Sequence, residues 1–169
     1  SRDPHMRDRA SFIPELTRLL EDSGRLGLVG GGDCMNLAGM EIEFWESHGH
    51  SPGMVVSFIK VAGICLVFAG DLAPGLSWIN LPITMGYDRF PEQLIEEKRR
   101  VLSRAFKEDA WIFYPHDSRY AASRLEKDRA KNRFVPRDPV RDLILEREIR
   151  DSDLKKDLPK VSIGMGHPN

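Results

Sequence analysis

The run Ile64-Cys65-Leu66-Val67-Phe68-Ala69 restricts the fold more than any other stretch of the chain. It contains no polar residue, so a strand formed here shows apolar side chains on both faces of its sheet. Both faces therefore need a cover. Neighbouring segments supply the rest of such a sheet. Residues 39–47 alternate, with Met40, Ile42 and Phe44 on one side and Glu41, Glu43 and Glu46 keeping the rest polar. Residues 54–60 form a second strand through Val55, Val56, Phe58 and Ile59, and the turn Val61-Ala62-Gly63 leads from it into the apolar run. A further strand is expected at Trp111 to Tyr114.

Helical periodicity marks the covering elements. Ser11 to Glu21 is expected to be a helix, with Ser11 as its cap, Pro14 in its first turn and a stripe of Ile13, Leu16, Leu19 and Leu20 that stops at Gly24. Pro91 to Lys107 gives the clearest helical period, through Leu94, Ile95, Lys98, Val101, Leu102 and Ala105. Ser118 to Ala130 reads as another helix, ended before Pro136. Asp138-Pro139 then opens a last one, striped by Val140, Leu143, Ile144 and Ile149, and Lys155 to Asn169 reads as a loose tail. This divides the chain into a vector remnant at 1–5, a domain at 6–135, and a C-terminal helix and tail at 136–169. His5 is set aside with the remnant.

The chemistry gathers at three strand exits. His50 lies in the turn S-H-G-H-S-P-G after the first strand, Asp71 follows the apolar run in F-A-G-D, and His116 follows the Trp111 strand in Y-P-H-D. Imidazole and carboxylate groups at strand ends can converge on one edge of a sheet, and this donor set suits zinc, iron or manganese. His48 forms an H-x-H pair with His50 and is a fourth candidate ligand, or else a surface histidine. Asp117 is placed either to orient His116 or to cap the strand end. The long irregular stretch 72–90 carries Trp78, Leu81, Met85 and Tyr87, which can wall the site or simply pack the loop. Gly30-Gly31-Gly32-Asp33 lacks the Lys of a phosphate loop and reads as a turn.

With these three motifs in this order, the segment from Phe12 to Asp128 resembles the second half of the metallo-β-lactamase-fold hydrolases. The resemblance implies an α/β fold: half of an αββα sandwich, with one mainly antiparallel or mixed sheet, helices on one face, and the other face completed by a second subunit. It implies that His50 binds a first metal, that Asp71 bridges two metals and is the residue on which catalysis turns, and that His116 binds the second. The family's upstream motif, H-x-H-x-D-H, has no counterpart in this sequence. A divalent metal, zinc foremost, would lower the pKa of a water to about 7 and polarise a scissile carbonyl or phosphoryl group. Two other readings stay open. One is a non-catalytic homodimeric binding or assembly module that retains the fold without a working di-metal site. The other is a piece of a longer hydrolase. Lactone, thioester, phosphodiester and β-lactam substrates all fit the resemblance.

Composition narrows the partners. Lys and Arg total 25 against 26 Asp and Glu, so the net charge of -1 gives no global attraction to nucleic acid. The local basic segment from Arg119 to Arg141 is interrupted by Glu126, Asp128 and Asp138, and reads as a solvated face. Cys34 and Cys65 read as reduced thiols, which points to the cytoplasm. No apolar run is long enough for a membrane span.

Overall fold

The computed structural model describes residues 5–7 and 9–142. It divides into two compact units, with the break between Val29 and Gly30. In the first, helix α1 (Pro14–Asp22) begins on Pro14 rather than Ser11. Its N-cap is Ile13, which has no side chain able to cap. Proline at the first helical position fixes φ where no amide donor is needed. The apolar stripe of α1 is exposed, with Leu19 at 66%.

The second unit is built on one seven-stranded sheet whose spatial order follows the chain, β1 to β7. The strands are β1 (Cys34–Leu37), β2 (Met40–Ser47), β3 (Met54–Val61), β4 (Ile64–Phe68), β5 (Trp111–Phe113), β6 (Ala122–Asp128) and β7 (Arg133–Val140). Neighbours are antiparallel except β4 and β5, which are parallel and joined by the crossover that contains helix α2 (Pro91–Lys107). This is the mixed, mainly antiparallel sheet expected from the sequence.

Strand β4 does show an apolar residue to each side. Val67 is fully buried with Val56 and Phe58 of β3, Ile112 of β5 and Leu125 of β6, beneath Leu94, Val101, Leu102 and Ala105 of α2. On the opposite face, Ile42, Phe44, Ile59, Leu66, Phe68 and Phe113 line an open apolar groove, and the Phe68 and Phe113 rings stack at 5.6 Å. Phe68 is 40% exposed there.

Residues 118–130 correct the sequence reading. They hold a turn and strand β6, not a helix, and β6 pairs with β7 from Asp128↔Arg133 to Ala122↔Val140. The helix-forming Arg, Glu and Lys residues are overruled by Leu125, which is buried against the core as part of the sheet. Pro136, taken as a breaker, and Pro139, taken as part of a helix start, both lie within β7, an edge strand of the sheet, where a missing amide donor is tolerated. The boundary expected after residue 135 therefore falls inside β7. The rest of the expected C-terminal helix and tail lies outside the described residues. Strand β1 has no counterpart in the sequence reading. Among the described residues no helix is long and apolar enough to cross a membrane.

Arg104 fastens the end of α2 to the sheet. Its guanidinium donates to both oxygens of Glu43 on β2 at 2.8 and 2.7 Å and to Glu108 at 2.7 Å, and lies 4.0 Å from the centre of the Phe58 ring. The hydrogen bonds from Arg104, with one from Trp45, hold the Glu43 carboxyl down at about 2. A depressed folded-state pKa adds stability above the unfolded value and loses it as pH falls through the folded one. Urea midpoints should therefore drop between pH 4.5 and about 2. Glu43→Gln should cost about 1–3 kcal/mol at neutral pH and flatten that drop.

Candidate metal centre

The turn carrying His50 is held from below by α2. Glu97, buried in that helix, accepts hydrogen bonds from Ser47 Oγ at 2.7 Å, the His48 amide at 3.0 Å and the Gly49 amide at 3.0 Å. Burial raises its pKa, but these donors and Gln93 outweigh it and keep the carboxyl below its usual value. Gly49 rests directly on the helix: a Cβ there would collide with the backbone N and Cα of Leu94. The glycine is required by packing rather than by its φ angle.

The far end of the 72–90 loop is sewn to the same turn. The Arg89 amide donates to His50 O at 3.1 Å and the Phe90 amide to Gly49 O at 2.8 Å. These bonds bring Asp88 behind the imidazole. Its Oδ1 is 2.8 Å from His50 Nδ1, its Oδ2 accepts the Met85 amide, and its side chain is completely buried. Nearby Lys98 is also buried, donates to Ile83 O, and is pushed down to about 8 by burial against the opposing pull of Asp88.

The expected ligands meet in front of the turn. His50 Nε2 lies 3.2 Å from Asp71 Oδ2, and His116 Nε2 lies 3.2 Å from Asp71 Oδ1. Asp71 sits in a one-turn 3-10 helix (Gly70–Leu72) directly after β4. His116 follows β5 and is anchored by its amide, which donates to Pro74 O at 2.9 Å. Exposure rises across the cluster, from 16% for the His50 side chain through 35% for Asp71 to 67% for His116.

The spacing separates two explanations of these contacts. A charge-assisted N–H···O bond is about 2.7–2.9 Å long, as the His50–Asp88 contact is. Two ligands on a tetrahedral zinc, with bonds of about 2.0–2.2 Å, stand about 3.3–3.5 Å apart. The Asp71 contacts lie nearer the second value, and each carboxylate oxygen has its own imidazole. Two imidazoles around one carboxylate are a donor set whose chemistry fits a divalent transition metal. Among the described residues, no group of three or more His, Cys, Asp or Glu side chains is arranged to hold a metal ion.

The remaining candidates lie apart from the cluster. His48 turns to solvent, its Nδ1 accepting the Gly53 amide at 3.0 Å and its Nε2 3.6 Å from Glu46. Asp117 accepts the Leu76, Arg119 and Tyr120 amides and so caps its own turn instead of orienting His116. Arg124 and Arg137 of the basic segment pair with Asp109. Of the loop residues, Tyr87 stands edge-on to His50 with ring centres 6.0 Å apart, whereas Leu81 packs on the core.

Solved structures share this fold. One described as a probable metal-dependent hydrolase from Staphylococcus aureus superposes with a TM-score of 0.54 at 26% identity, over 72% of this chain and 42% of its own. The hydrolase AbOPH, in the β-lactamase superfamily, gives 0.58 at 20% identity over 71% and 41%. AidC, a dizinc quorum-quenching lactonase with a bound homoserine product, gives 0.55 at 17% over 83% and 46%. This chain thus spans less than half the length of each. No family model matches the sequence, and no curated protein matches it.

Two buried supports were missed by sequence reasoning, Asp88 and Glu97. Neither stands out in the sequence, since Glu97 lies in the charged run Glu96-Glu97-Lys98-Arg99-Arg100 and Asp88 stands beside Arg89. Replacing Gly49 with Ala tests the support from α2. It should lower unfolding free energy by about 3 kcal/mol or more, as overpacking against backbone does, measured by urea denaturation.

Proposed function

We propose that this chain carries the metal-binding sheet edge of a metal-dependent hydrolase of the metallo-β-lactamase type. His50, Asp71 and His116 are the ligands and zinc the best-fitting ion, with iron or manganese as alternatives. The observation that carries this reading is the pairing of each Asp71 oxygen with a separate imidazole Nε2 at 3.2 Å. A bound cation there would acidify a water and polarise a carbonyl or phosphoryl group for hydrolysis. The chain's own residues supply placement: Glu97 and Leu94 fix the His50 turn, Pro74 O fixes His116, and Asp71 spans the two. The substrate class is a small molecule with a hydrolysable acyl or phosphoryl bond, met in the cytoplasm.

The test is zinc or cobalt uptake by chelator-treated protein, followed by elemental analysis. Wild-type chain should take up metal, and Asp71→Ala should abolish uptake while leaving the unfolding free energy from urea denaturation within about 1 kcal/mol, as expected for a surface substitution. Equal metal in the variant, or none in the wild type, refutes the assignment.

The open apolar face supports a second reading, that the chain is also an assembly module. Phe68, Phe113 and Leu66 form a surface suited to another sheet, and sheets pack face to face at about 10 Å. A second copy is the proposed cover, since twofold dimers are the commonest oligomers. Light scattering should give twice the mass of one chain at micromolar concentration, falling to the monomer in Phe68→Asp. A monomeric wild type removes this part and leaves the metal assignment untouched.

A further inference from the structure

We infer that Asp88 is a positioning residue that fixes the tautomer of His50, keeping the proton on Nδ1 and the Nε2 lone pair toward Asp71. The inference rests on the reading of His50 as a cation ligand, but its central claim concerns the metal-free chain.

Each oxygen of Asp88 has one partner. A carboxylate accepts and cannot donate, so at 2.8 Å from Oδ1 the Nδ1 atom of His50 must carry hydrogen. A neutral imidazole has one N–H, which leaves Nε2 as the free base. The other oxygen, Oδ2, is already taken by the Met85 amide, and the Asp88 amide in turn donates to Met85 O at 3.0 Å. With no solvent exposure of the side chain, water offers neither oxygen an alternative. The carboxylate also has no freedom to shift along the chain. The residues after it are bonded to His50 O and Gly49 O, so carboxylate and imidazole belong to one rigid turn. The result is a lone pair aimed at a carboxylate oxygen 3.2 Å away, an arrangement that repels unless a proton or metal ion lies between.

Asp88→Asn should reverse the arrangement, although it preserves shape. Asparagine has one acceptor where aspartate has two. Turning its NH2 toward the Met85 amide would oppose two donors in a dry site, with the full penalty of a buried unsatisfied group. A neutral imidazole can instead move its proton to the other nitrogen. The asparagine oxygen therefore stays on Met85, its NH2 faces Nδ1, and His50 carries its proton on Nε2. That nitrogen then presents N–H to Asp71 and cannot bind a metal without losing it.

Long-range proton–nitrogen correlations on 15N-histidine-labelled, EDTA-treated protein at alkaline pH read this directly. The wild type should show His50 protonated at Nδ1, and Asp88→Asn should show it protonated at Nε2 in an otherwise unchanged spectrum. A wild-type His50 protonated at Nε2 overturns the inference even should the variant fail to fold. So does a folded Asp88→Asn that keeps the wild-type tautomer. Cobalt titration of the same two proteins separates this claim from the functional one. A switched tautomer with cobalt affinity reduced about 10–100-fold, the usual effect of losing such a support, bears out both. A switched tautomer with unchanged affinity upholds Asp88's role and removes His50 from the ligand set.

Discussion

The carboxylate of Glu97 is the interaction on which the site depends. Three donors from successive residues of the β2 exit, Ser47 Oγ and the amides of His48 and Gly49, converge on one buried side chain of α2. A strand end is ordinarily the part of a sheet that frays. Here it is tied to a helix that is itself locked to the sheet by Leu94, Leu102 and Arg104. The hydrogen bonds keep the acid ionised despite burial, so the tie is charged and stronger than neutral hydrogen bonds would be. Removing the acid or replacing Gly49 loosens the His50 turn on its helix side and leaves the turn held by the Arg89 and Phe90 amides.

From that anchor the ligands form a graded series. His50 is gripped on three sides, by the helix below, the 72–90 loop beside it and Asp88 behind. Asp71 is partly exposed, and His116 is held by its amide on Pro74 O and by its contact with Asp71. The geometry of the cluster is therefore set by His50, with Asp71 as the shared partner and His116 able to adjust.

Much of this was legible in the sequence, for reasons that can be named. The apolar run of β4 and the alternation of β2 gave their faces, because burial on one or both sides of a sheet is written as period two or as none. Helix α2 was legible from its apolar period and its opening Pro91. The same logic failed at β6, where Arg124, Glu126 and Lys127 favour a helix locally and only the pairing with β7 decides otherwise. His50, Asp71 and His116 could be picked out because each closes a strand, and strands in one sheet bring their ends together. Asp88 and Glu97 could not, because their function depends on groups distant in the chain: His50 lies 38 positions from Asp88, and the His48 and Gly49 amides lie 49 and 48 positions from Glu97.

The two faces of the sheet put different demands on the chain. The α2 face is closed by contacts within one unit, and everything that shapes the His50 turn lies on that side or at its rim. The opposite face keeps Leu66, Phe68 and Phe113 partly open, yet none of the residues that fix His50 belongs to it. Covering that face is therefore a matter of apolar burial and not of building the cluster. The imidazole, its carboxylate support and the helix clamp are all present in the single chain.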